Sequence, residues 1–305
     1  MNGFGRIGRA AFKIIAERDD LEVVAINDLT DAALLAHLLE FDTAYGRLNR
    51  EVSAAEGEIV VDGKSFPVLA EPEPRKLPWK DFDVDVVLEC TGRFVKDGAA
   101  RAHLEAGART VVVSAPVKGK GDIPTAVVGV NREKKPVGIV SNASCTTNCI
   151  APVTDIVHRA FGVRKSLMST VHSYTANQNL QDGPHKDPRR ARAAAANLVP
   201  TTTGAAIATT EVIPDLKGLF DGIAIRVPTI TVSLADITFL LEKETTLPEV
   251  EEVFRRAAAS EEWQGVFAVT DKPLVSSDFI GNPASATVDL SLLKLVGGDL
   301  LKVVA

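Results

Sequence analysis

The stretch GFGRIG, at residues 3–8, decides the fold, because it fits the G-x-G-x-x-G pattern of a dinucleotide-binding turn. A helical pattern follows over Arg6 to Glu17, a buried-strand pattern over Leu21 to Ile26, and Asp28 stands 20 residues after Gly8. Glycines let the backbone approach a pyrophosphate, and a carboxylate at that spacing can bind ribose hydroxyls. A bare glycine-rich turn is the alternative, and the helix, strand and carboxylate together favour the dinucleotide.

The residue type at position 28 also predicts which dinucleotide binds. The carboxylate of Asp28 would repel a 2′-phosphate, and the next residues are Leu29 and Thr30 rather than an arginine that could hold one. We therefore expect NAD rather than NADP as the cofactor.

The rest of the chain predicts an α/β fold with two domains. In the first half, short β-branched runs alternate with helical patterns, which is typical of a parallel, Rossmann-type sheet covered by helices. The second half suggests an α+β domain with a mixed or antiparallel sheet. We place an NAD-binding domain at residues 1–144 and a catalytic domain at residues 145–305. The predicted elements are a hairpin around Asp62-Gly63, strands at 84–88, 110–113, 127–130, 138–140, 165–171, 222–227 and 230–239, and helices at 31–39 and from Cys145 to Phe161.

Composition narrows the function classes. The chain has 305 residues and a net charge of −6, with no tract of lysine and arginine and no apolar run of membrane-spanning length. Nucleic acid and membranes are therefore not expected partners, and no metal site is expected. The three cysteines, Cys90, Cys145 and Cys149, do not suggest a disulfide framework, and they favour a reducing cytoplasm.

Residues 141–149, SNASCTTNC, predict a reactive thiol. Ser144 can cap a helix that places Cys145 in its first turn, where the helix dipole favours a thiolate. A small buried residue at a helix start is the alternative for an isolated cysteine. Cys149 lies one turn further along and Cys90 ends a buried strand, so both are interpreted as packing residues.

His172 follows an apolar strand and could meet Cys145 as a thiolate–imidazole pair, although a structural role is the alternative for such a histidine. The other four histidines are interpreted as surface or helix residues: His37, His103, His158 and His185.

The second half also contains groups suited to phosphate. Arginines lie in the polar segment 176–200, and residues 201–204, TTTG, open a helix of small residues. Arg226 stands inside an apolar strand, where it needs an anionic partner; a structural salt bridge is the alternative.

Eight stretches together resemble the glyceraldehyde-3-phosphate dehydrogenase family: NGFGRIGR, INDLTD, ECTGRF, SNASCTTNC, TVHSYT, RRARAAA, PTTTGAA and RVPT. The resemblance runs from residue 2 to the end, and SCTTNC with a later HSYT is its most specific part. It implies an NAD-dependent oxidoreductase of glycolysis and gluconeogenesis. Such an enzyme converts glyceraldehyde 3-phosphate and inorganic phosphate into 1,3-bisphosphoglycerate through a cysteine thioester.

The resemblance also implies site residues and an assembly. Cys145 would be the nucleophile and His172 the base. The substrate phosphate would bind Thr175 and Arg226, and the attacking phosphate would bind Ser144, Thr146, Arg190, Thr203 and Gly204. The cofactor would bind Gly3, Gly5, Arg6, Ile7 and Asp28, with Ser114 near its nicotinamide end. Segment 176–200 resembles the family's S-shaped loop, which lies against a neighbouring subunit, so a homotetramer is implied.

Three departures from the family's pattern are visible. The family has a strand before NGFGRIG and an asparagine-bearing segment after KVVA, so we expect the first strand and a C-terminal segment to be missing. The stretch from Gly129 to Ser141 is shorter than usual. Two alternatives stay open: an erythrose-4-phosphate dehydrogenase, and a non-catalytic remnant of the same fold.

Overall fold

A computed structural model describes residues 1–131 and 138–305. The chain forms two compact units. One comprises Met1–Ala126 and the stretch that ends at Ala143, and the other comprises Ser144–Ala305 and the short stretch that starts at Val127. Part of the shortened stretch between Gly129 and Ser141 lies outside the described residues.

The first unit contains a parallel sheet with short helices. Its elements are α1 Arg6–Ile15, β1 Ile26–Asn27, α2 Ala32–Glu40, β2 Phe41–Asp42, β3 Gly46–Arg47, β4 Val52–Ala55, β5 Glu58–Val61, β6 Lys64–Leu69, β7 Val86–Glu89, α3 Ala102–Glu105, β8 Thr110–Val113 and β9 Ile139–Ser141. Strands β7, β8 and β9 pair in parallel, and β1 pairs in parallel with β6. The hairpin between β5 and β6 turns at Asp62 and Gly63, which have φ of 49° and 78°, as a two-residue hairpin turn requires.

Met1, Asn2 and Gly3 lie between these two groups of strands. Asn2 forms parallel bridges to both Asn27 and Glu89. Backbone hydrogen bonds of 2.7–2.9 Å link the three residues to β1 on one side and to β7 and Cys90 on the other. These three residues thus satisfy backbone groups of both neighbouring strands, and the expectation that a first strand is missing stays a prediction.

The second unit is built on a six-stranded mixed sheet. Its elements are α4 Cys145–Phe161, β10 Val163–Ser173, β11 Val199–Thr202, α5 Ala205–Val212, β12 Phe220–Val227, β13 Ser233–Leu241, α6 Leu247–Ala259, β14 Phe267–Thr270, β15 Ala286–Asp289, β16 Lys294–Val296 and β17 Leu300–Val304. The sheet order is β11-β12-β10-β13-β17-β16, and only β10 and β12 are parallel neighbours. The predicted α/β class, with a parallel sheet domain followed by a mixed-sheet domain, is confirmed.

Two predicted strands are wrong. Of the strand predicted over residues 21–26, only Ile26 pairs, together with the following Asn27, and Leu21 is half exposed. Residues 127–130 form a turn instead of a strand. Gly129 there has a φ of 86° and packs so closely on Trp263 that a Cβ would come within 2.6 Å of the indole ring, so this position favours glycine.

Candidate active site

Cys145 is the first residue of α4, and the local sequence explains why the helix starts there. The Ser144 side chain caps the helix by accepting a hydrogen bond from the Thr147 backbone N–H at 3.1 Å. Ala143, just before the cap, has a φ of 56°, a conformation that costs energy for a residue with a Cβ and is concentrated at functional sites. The helix is 17 residues long, so its dipole and its free first-turn N–H groups act on the exposed Cys145 thiol.

The structure places His172 against this thiol. The Cys145 Sγ atom lies 3.4 Å from His172 Nε2. His172 is the tenth residue of β10 and is buried, with 8% of its surface exposed. Thiol and imidazole are therefore in direct contact although 27 residues separate them in sequence, which is the geometry of an activated cysteine nucleophile.

Arg226 holds the other side of the imidazole. Strands β10 and β12 pair in parallel with His172 opposite Arg226, which brings Arg226 Nη1 to 2.7 Å from His172 Nδ1 and 2.9 Å from the Ser173 carbonyl oxygen. The same carbonyl lies 2.7 Å from Nδ1. A proton on Nδ1 can donate to the carbonyl, whereas a lone pair there can accept from Arg226. In both arrangements Nε2 is the ring atom that faces the thiol.

Burial and the neighbouring cations both favour the neutral form of His172. Burial lowers the pKa of His172 below its ordinary value, and the guanidinium groups of Arg226 and Arg190 lower it further, against an opposing effect of the Ser173 carbonyl. Burial also lowers the pKa of Arg226, as does the charge of Arg190. A neutral imidazole beside two guanidinium groups can accept a proton, and the pair of cations favours an anion in the same place.

Arg226 is not part of a structural salt bridge in the portion of the chain that the structure describes. Its Nε atom is buried and unpaired there, and its other contacts are the imidazole and a carbonyl. The salt-bridge alternative for this arginine is therefore wrong for the described residues. A buried guanidinium with a spare donor is suited to an oxyanion.

A second arginine lies close to the helix of small residues. Arg190 donates to the Thr201 hydroxyl at 3.0 Å and to the Thr202 carbonyl at 3.4 Å, and it lies 3.5 Å from the Asp187 carboxylate. Thr203 and Gly204 follow directly and precede α5, with Gly204 as its N-cap residue, and the Thr203 hydroxyl accepts from the Ala205 N–H at 3.2 Å.

The remaining predicted phosphate ligands, Thr146 and Thr175, make no described hydrogen bond to His172 or Arg226. Thr146 is buried in the first turn of α4 beside Cys145. Thr175 is exposed, and its hydroxyl accepts a hydrogen bond from the Asn177 N–H at 3.4 Å. The described contacts thus join Cys145, His172 and Arg226 directly, whereas Thr175 bonds within its own turn.

The other two cysteines differ from Cys145. Burial raises the pKa of Cys149 to about 12, and the nearby Cys145 contributes to the increase. Burial also raises the pKa of Cys90, against a hydrogen bond with Ser114. Both remain protonated thiols near neutral pH, in agreement with their interpretation as packing residues.

The glycine turn in the first unit fits a dinucleotide. Gly3 has a φ of 88°, and a Cβ there would come within 2.8 Å of the Thr91 nitrogen; a Cβ at Gly8 would come within 2.2 Å of the Gly3 carbonyl oxygen. A Cβ at Gly5 would meet nothing within 4 Å, so Gly5 leaves open space beside the N-terminus of α1. That space and the helix N-terminus form a cradle for a pyrophosphate.

The remaining predicted cofactor residues surround this turn. The Asp28 carboxylate accepts a hydrogen bond from the Phe4 N–H at 2.7 Å and so lies beside the turn. Arg6 and Ile7 are exposed on the first turn of α1, and Ser114 follows β8. The residues present therefore fit NAD.

Sequence reasoning missed several residues near the turn. Asp42 lies 3.7 Å from the Arg6 guanidinium, which also stacks over the Tyr45 ring at 5.7 Å. Glu89 and His103 form a fully buried pair. His103, predicted to be a surface or helix residue, does lie in α3 but is buried. A glutamate inside an apolar strand pattern was the only local signal of this pair.

Together, a dinucleotide-binding sheet and a cysteine–histidine pair define a class: oxidoreductases that use a nicotinamide cofactor and a thiol nucleophile. Comparison with known proteins identifies the family. Residues 144–305 match "Glyceraldehyde 3-phosphate dehydrogenase, C-terminal domain" and residues 1–97 match "Glyceraldehyde 3-phosphate dehydrogenase, NAD binding domain". The chain belongs to the glyceraldehyde 3-phosphate dehydrogenase family, and the predictions of an NAD-dependent oxidoreductase and of NAD as its cofactor are confirmed.

Relatives match along the whole chain. Glyceraldehyde-3-phosphate dehydrogenase 1 of Bacillus cereus and glyceraldehyde-3-phosphate dehydrogenase of Geobacillus stearothermophilus are each 50% identical to it, over 100% of this chain and 91% of theirs. Glyceraldehyde-3-phosphate dehydrogenase A, chloroplastic, of Scenedesmus vacuolatus is 48% identical over 100% of this chain and 98% of its own. No helix in residues 1–131 and 138–305 combines the length and hydropathy of a membrane span.

Proposed function

We propose that this chain oxidises glyceraldehyde 3-phosphate with NAD and inorganic phosphate, forming 1,3-bisphosphoglycerate. The observation that carries this proposal is the 3.4 Å contact between Cys145 Sγ and His172 Nε2 at the start of α4, in a chain of this family. The relatives' names specify the same aldehyde.

Cys145 and His172 divide the chemistry between them. His172 takes the proton of the Cys145 thiol, the thiolate attacks the aldehyde carbon, and the proton passes to the new oxygen, which gives a hemithioacetal. The backbone N–H of Cys145 is proposed as a donor to the oxyanion formed on the way. His172 Nε2 accepts the hydroxyl proton as the hemithioacetal is oxidised to a thioester. When bound, NAD supplies the hydride acceptor, and Gly3, Gly5, Arg6, Ile7 and Asp28 would hold it, with Ser114 nearby.

Two groups of residues would hold phosphate. Arg226 and Thr175 are proposed for the phosphate of the aldehyde; the spare Nε donor of Arg226 supports this role. Ser144, Thr146, Arg190, Thr203 and Gly204 are proposed for inorganic phosphate, whose oxygen attacks the thioester carbon and releases the Cys145 thiolate. The hydrogen bonds of Arg190 to Thr201 and Thr202, next to the start of α5, support this second group.

Three further features belong to the proposal. We infer that residues 1–144 bind NAD and residues 145–305 carry catalysis, which the change of unit between Ala143 and Ser144 supports. We infer a reducing compartment such as the cytoplasm, since a free exposed thiol must stay reduced.

We also infer a homotetramer, which the apolar side chains on one face of the six-stranded sheet support. On this face Leu167 is 68%, Ile223 51% and Leu234 40% exposed, on three adjacent strands.

The test is to incubate the protein with glyceraldehyde 3-phosphate, NAD and inorganic phosphate and to measure the NADH that forms by its absorbance. We expect turnover that depends on phosphate, is lost in Cys145→Ser and is retained in the control Cys149→Ala. Turnover by the Cys145→Ser variant, or none by the parent protein, would refute the proposal. Faster turnover of erythrose 4-phosphate would instead show that the substrate is a longer aldehyde.

A further inference from the structure

A buried polar cluster in the first unit has no part in the chemistry proposed above. It joins the side chains of Asn2, Asn27, Glu89, Thr91 and His103. The exposed fractions of Glu89 and His103 are 1% and 0%. A buried charged group lowers the stability of the fold unless its hydrogen-bond partners are all in place. The presence of such an extended buried network therefore points to a specific role.

The hydrogen-bond partners determine the tautomer of His103. The Trp79 Nε1–H group can only donate, and it lies 2.9 Å from His103 Nδ1, which therefore accepts. The proton of the neutral ring is then on Nε2, which donates to the Glu89 carboxylate at 3.0 Å. The Glu89 carboxylate thus accepts a hydrogen bond from His103 Nε2–H, whose position and tautomer are set by Trp79.

Glu89 is a charged acceptor inside the core. Burial alone would raise the pKa of Glu89, but hydrogen bonds from His103, Thr91 and Asn2 outweigh that effect, and the pKa is lowered. The side chain is therefore a carboxylate at neutral pH, and its neighbours all donate to it.

The donors to Glu89 lie on both sides of the glycine turn. On one side, Glu89 Oε1 accepts from the Thr91 N–H at 2.8 Å and also from the Thr91 hydroxyl. The Thr91 nitrogen is the atom that a Cβ on Gly3 would approach to 2.8 Å, so Thr91 forms the surface on which the turn packs.

On the other side, the side-chain Nδ2 of Asn2 donates to Glu89 Oε2, and the side-chain Oδ1 of Asn2 accepts from Asn27 Nδ2 at 2.7 Å. Asn2 precedes Gly3, and Asn27 precedes Asp28. Glu89 therefore connects the residues directly before Gly3 and Asp28 with the surface beneath the turn.

We infer that Glu89, oriented by His103, is a positioning residue for the dinucleotide site: it sets the affinity for NAD through the glycine turn without contacting NAD. The inference goes beyond the proposed chemistry and rests only on NAD as the cofactor. A purely structural role would predict a loss of stability with unchanged affinity for NAD in the folded fraction.

The decisive variant is Glu89→Gln, which keeps the shape but brings an amide donor against the donors of His103 and Asn2. We expect the Kd for NAD, measured by calorimetry, to increase roughly ten- to hundredfold, by analogy with the outer-shell partners of metal ligands, whose substitution costs that much affinity. The KM for glyceraldehyde 3-phosphate and the alkylation rate of Cys145 should stay unchanged.

Asp155→Asn is the matched control, because Asp155 is also a buried carboxylate, paired with Arg159 at 2.7 Å in the second unit. It should leave the Kd for NAD unchanged. If Glu89→Gln does not fold, Thr91→Val decides: it removes one donor to Glu89, and we expect weaker NAD binding in the same direction.

A folded Glu89→Gln variant that binds NAD with the Kd of the parent would overturn the inference. An equal increase of the Kd in Asp155→Asn would overturn it too. If Glu89→Gln does not fold, an unchanged Kd in Thr91→Val would have the same consequence. A parent protein that binds no NAD would overturn the cofactor assignment and the inference with it.

Discussion

Selective alkylation of Cys145 is the sharpest test of the thiol assignment. Iodoacetamide reacts with thiolates, and the three cysteines of this chain differ in exposure: Cys145 is exposed, while Cys90 and Cys149 are not. Only Cys145 also lies at the first residue of a helix and in contact with an imidazole. We expect the folded protein to be alkylated at Cys145 long before either of the others.

The size of the difference follows from the ionised fractions. With a pKa of about 12, Cys149 is a thiolate in only about 3 molecules in 100,000 at roughly pH 7.5. An ordinary exposed thiol, with a pKa of about 8.5, is ionised in about one molecule in ten at that pH. Ionisation alone therefore predicts a rate ratio of about 3,000, before the steric protection of Cys149 is counted.

The assay is mass spectrometry of tryptic peptides after timed exposure to iodoacetamide. In His172→Asn, alkylation of Cys145 should slow by roughly ten- to hundredfold, since a hydrogen bond to a charged group contributes about 1.5–3 kcal/mol. His37→Asn, at an exposed histidine on α2, is the matched control and should change nothing. Equal labelling of all three cysteines in folded protein, or an unchanged rate in His172→Asn, would refute the reasoning.

Three more predictions concern the first unit. Asp28→Ala should relax the preference for NAD over NADP, measured as the ratio of the two kcat/KM values; an unchanged ratio would contradict the role given to Asp28. Gly8→Ala should lower the free energy of unfolding by about 1–3 kcal/mol because its Cβ meets the Gly3 carbonyl at 2.2 Å.

The control Gly5→Ala, which has open space, should change that free energy by less than about 0.5 kcal/mol yet weaken NAD binding; equal destabilisation by both would contradict this packing. Because the folded-state pKa of Glu89 is below its ordinary value of 4.5, its stabilisation is present above that pH and is lost as the pH falls through the folded-state value. Denaturation at a series of pH values should therefore show a smaller loss of stability toward acid in Glu89→Gln than in the parent, and identical acid profiles would argue against a stabilised carboxylate.

Features with local causes could be predicted from the sequence. Helix α4 begins at Cys145 and ends at Phe161, as predicted, because Ser144 caps one end and Gly162 follows the other. The hairpin at Asp62 was predicted for the same reason, since its two turn residues need positive φ.

The wrong strands have a different cause. The run at residues 127–130 turns where Gly129 packs on Trp263, which lies far along the chain. An apolar run reports burial, and burial alone does not distinguish a strand from a packed turn.

The parts of the site that have a local sequence signal could be predicted, whereas contacts between residues far apart in the sequence could not. A nucleophile at a helix start has a local signature, so Cys145 could be proposed from nine residues of sequence, and the family resemblance supplied His172. The contact of Arg226 with His172 spans 54 positions and depends on β10 pairing in parallel with β12. The contact of Glu89 with Asn2 spans 87 positions. His103 was therefore classed by its own neighbours in sequence, although Trp79 and Glu89 determine its chemistry. The same physics makes these residues informative: a buried carboxylate that needs donors from several segments can form only when the strands around the glycine turn are in register, so it couples folding of the sheet to the geometry of the cofactor site.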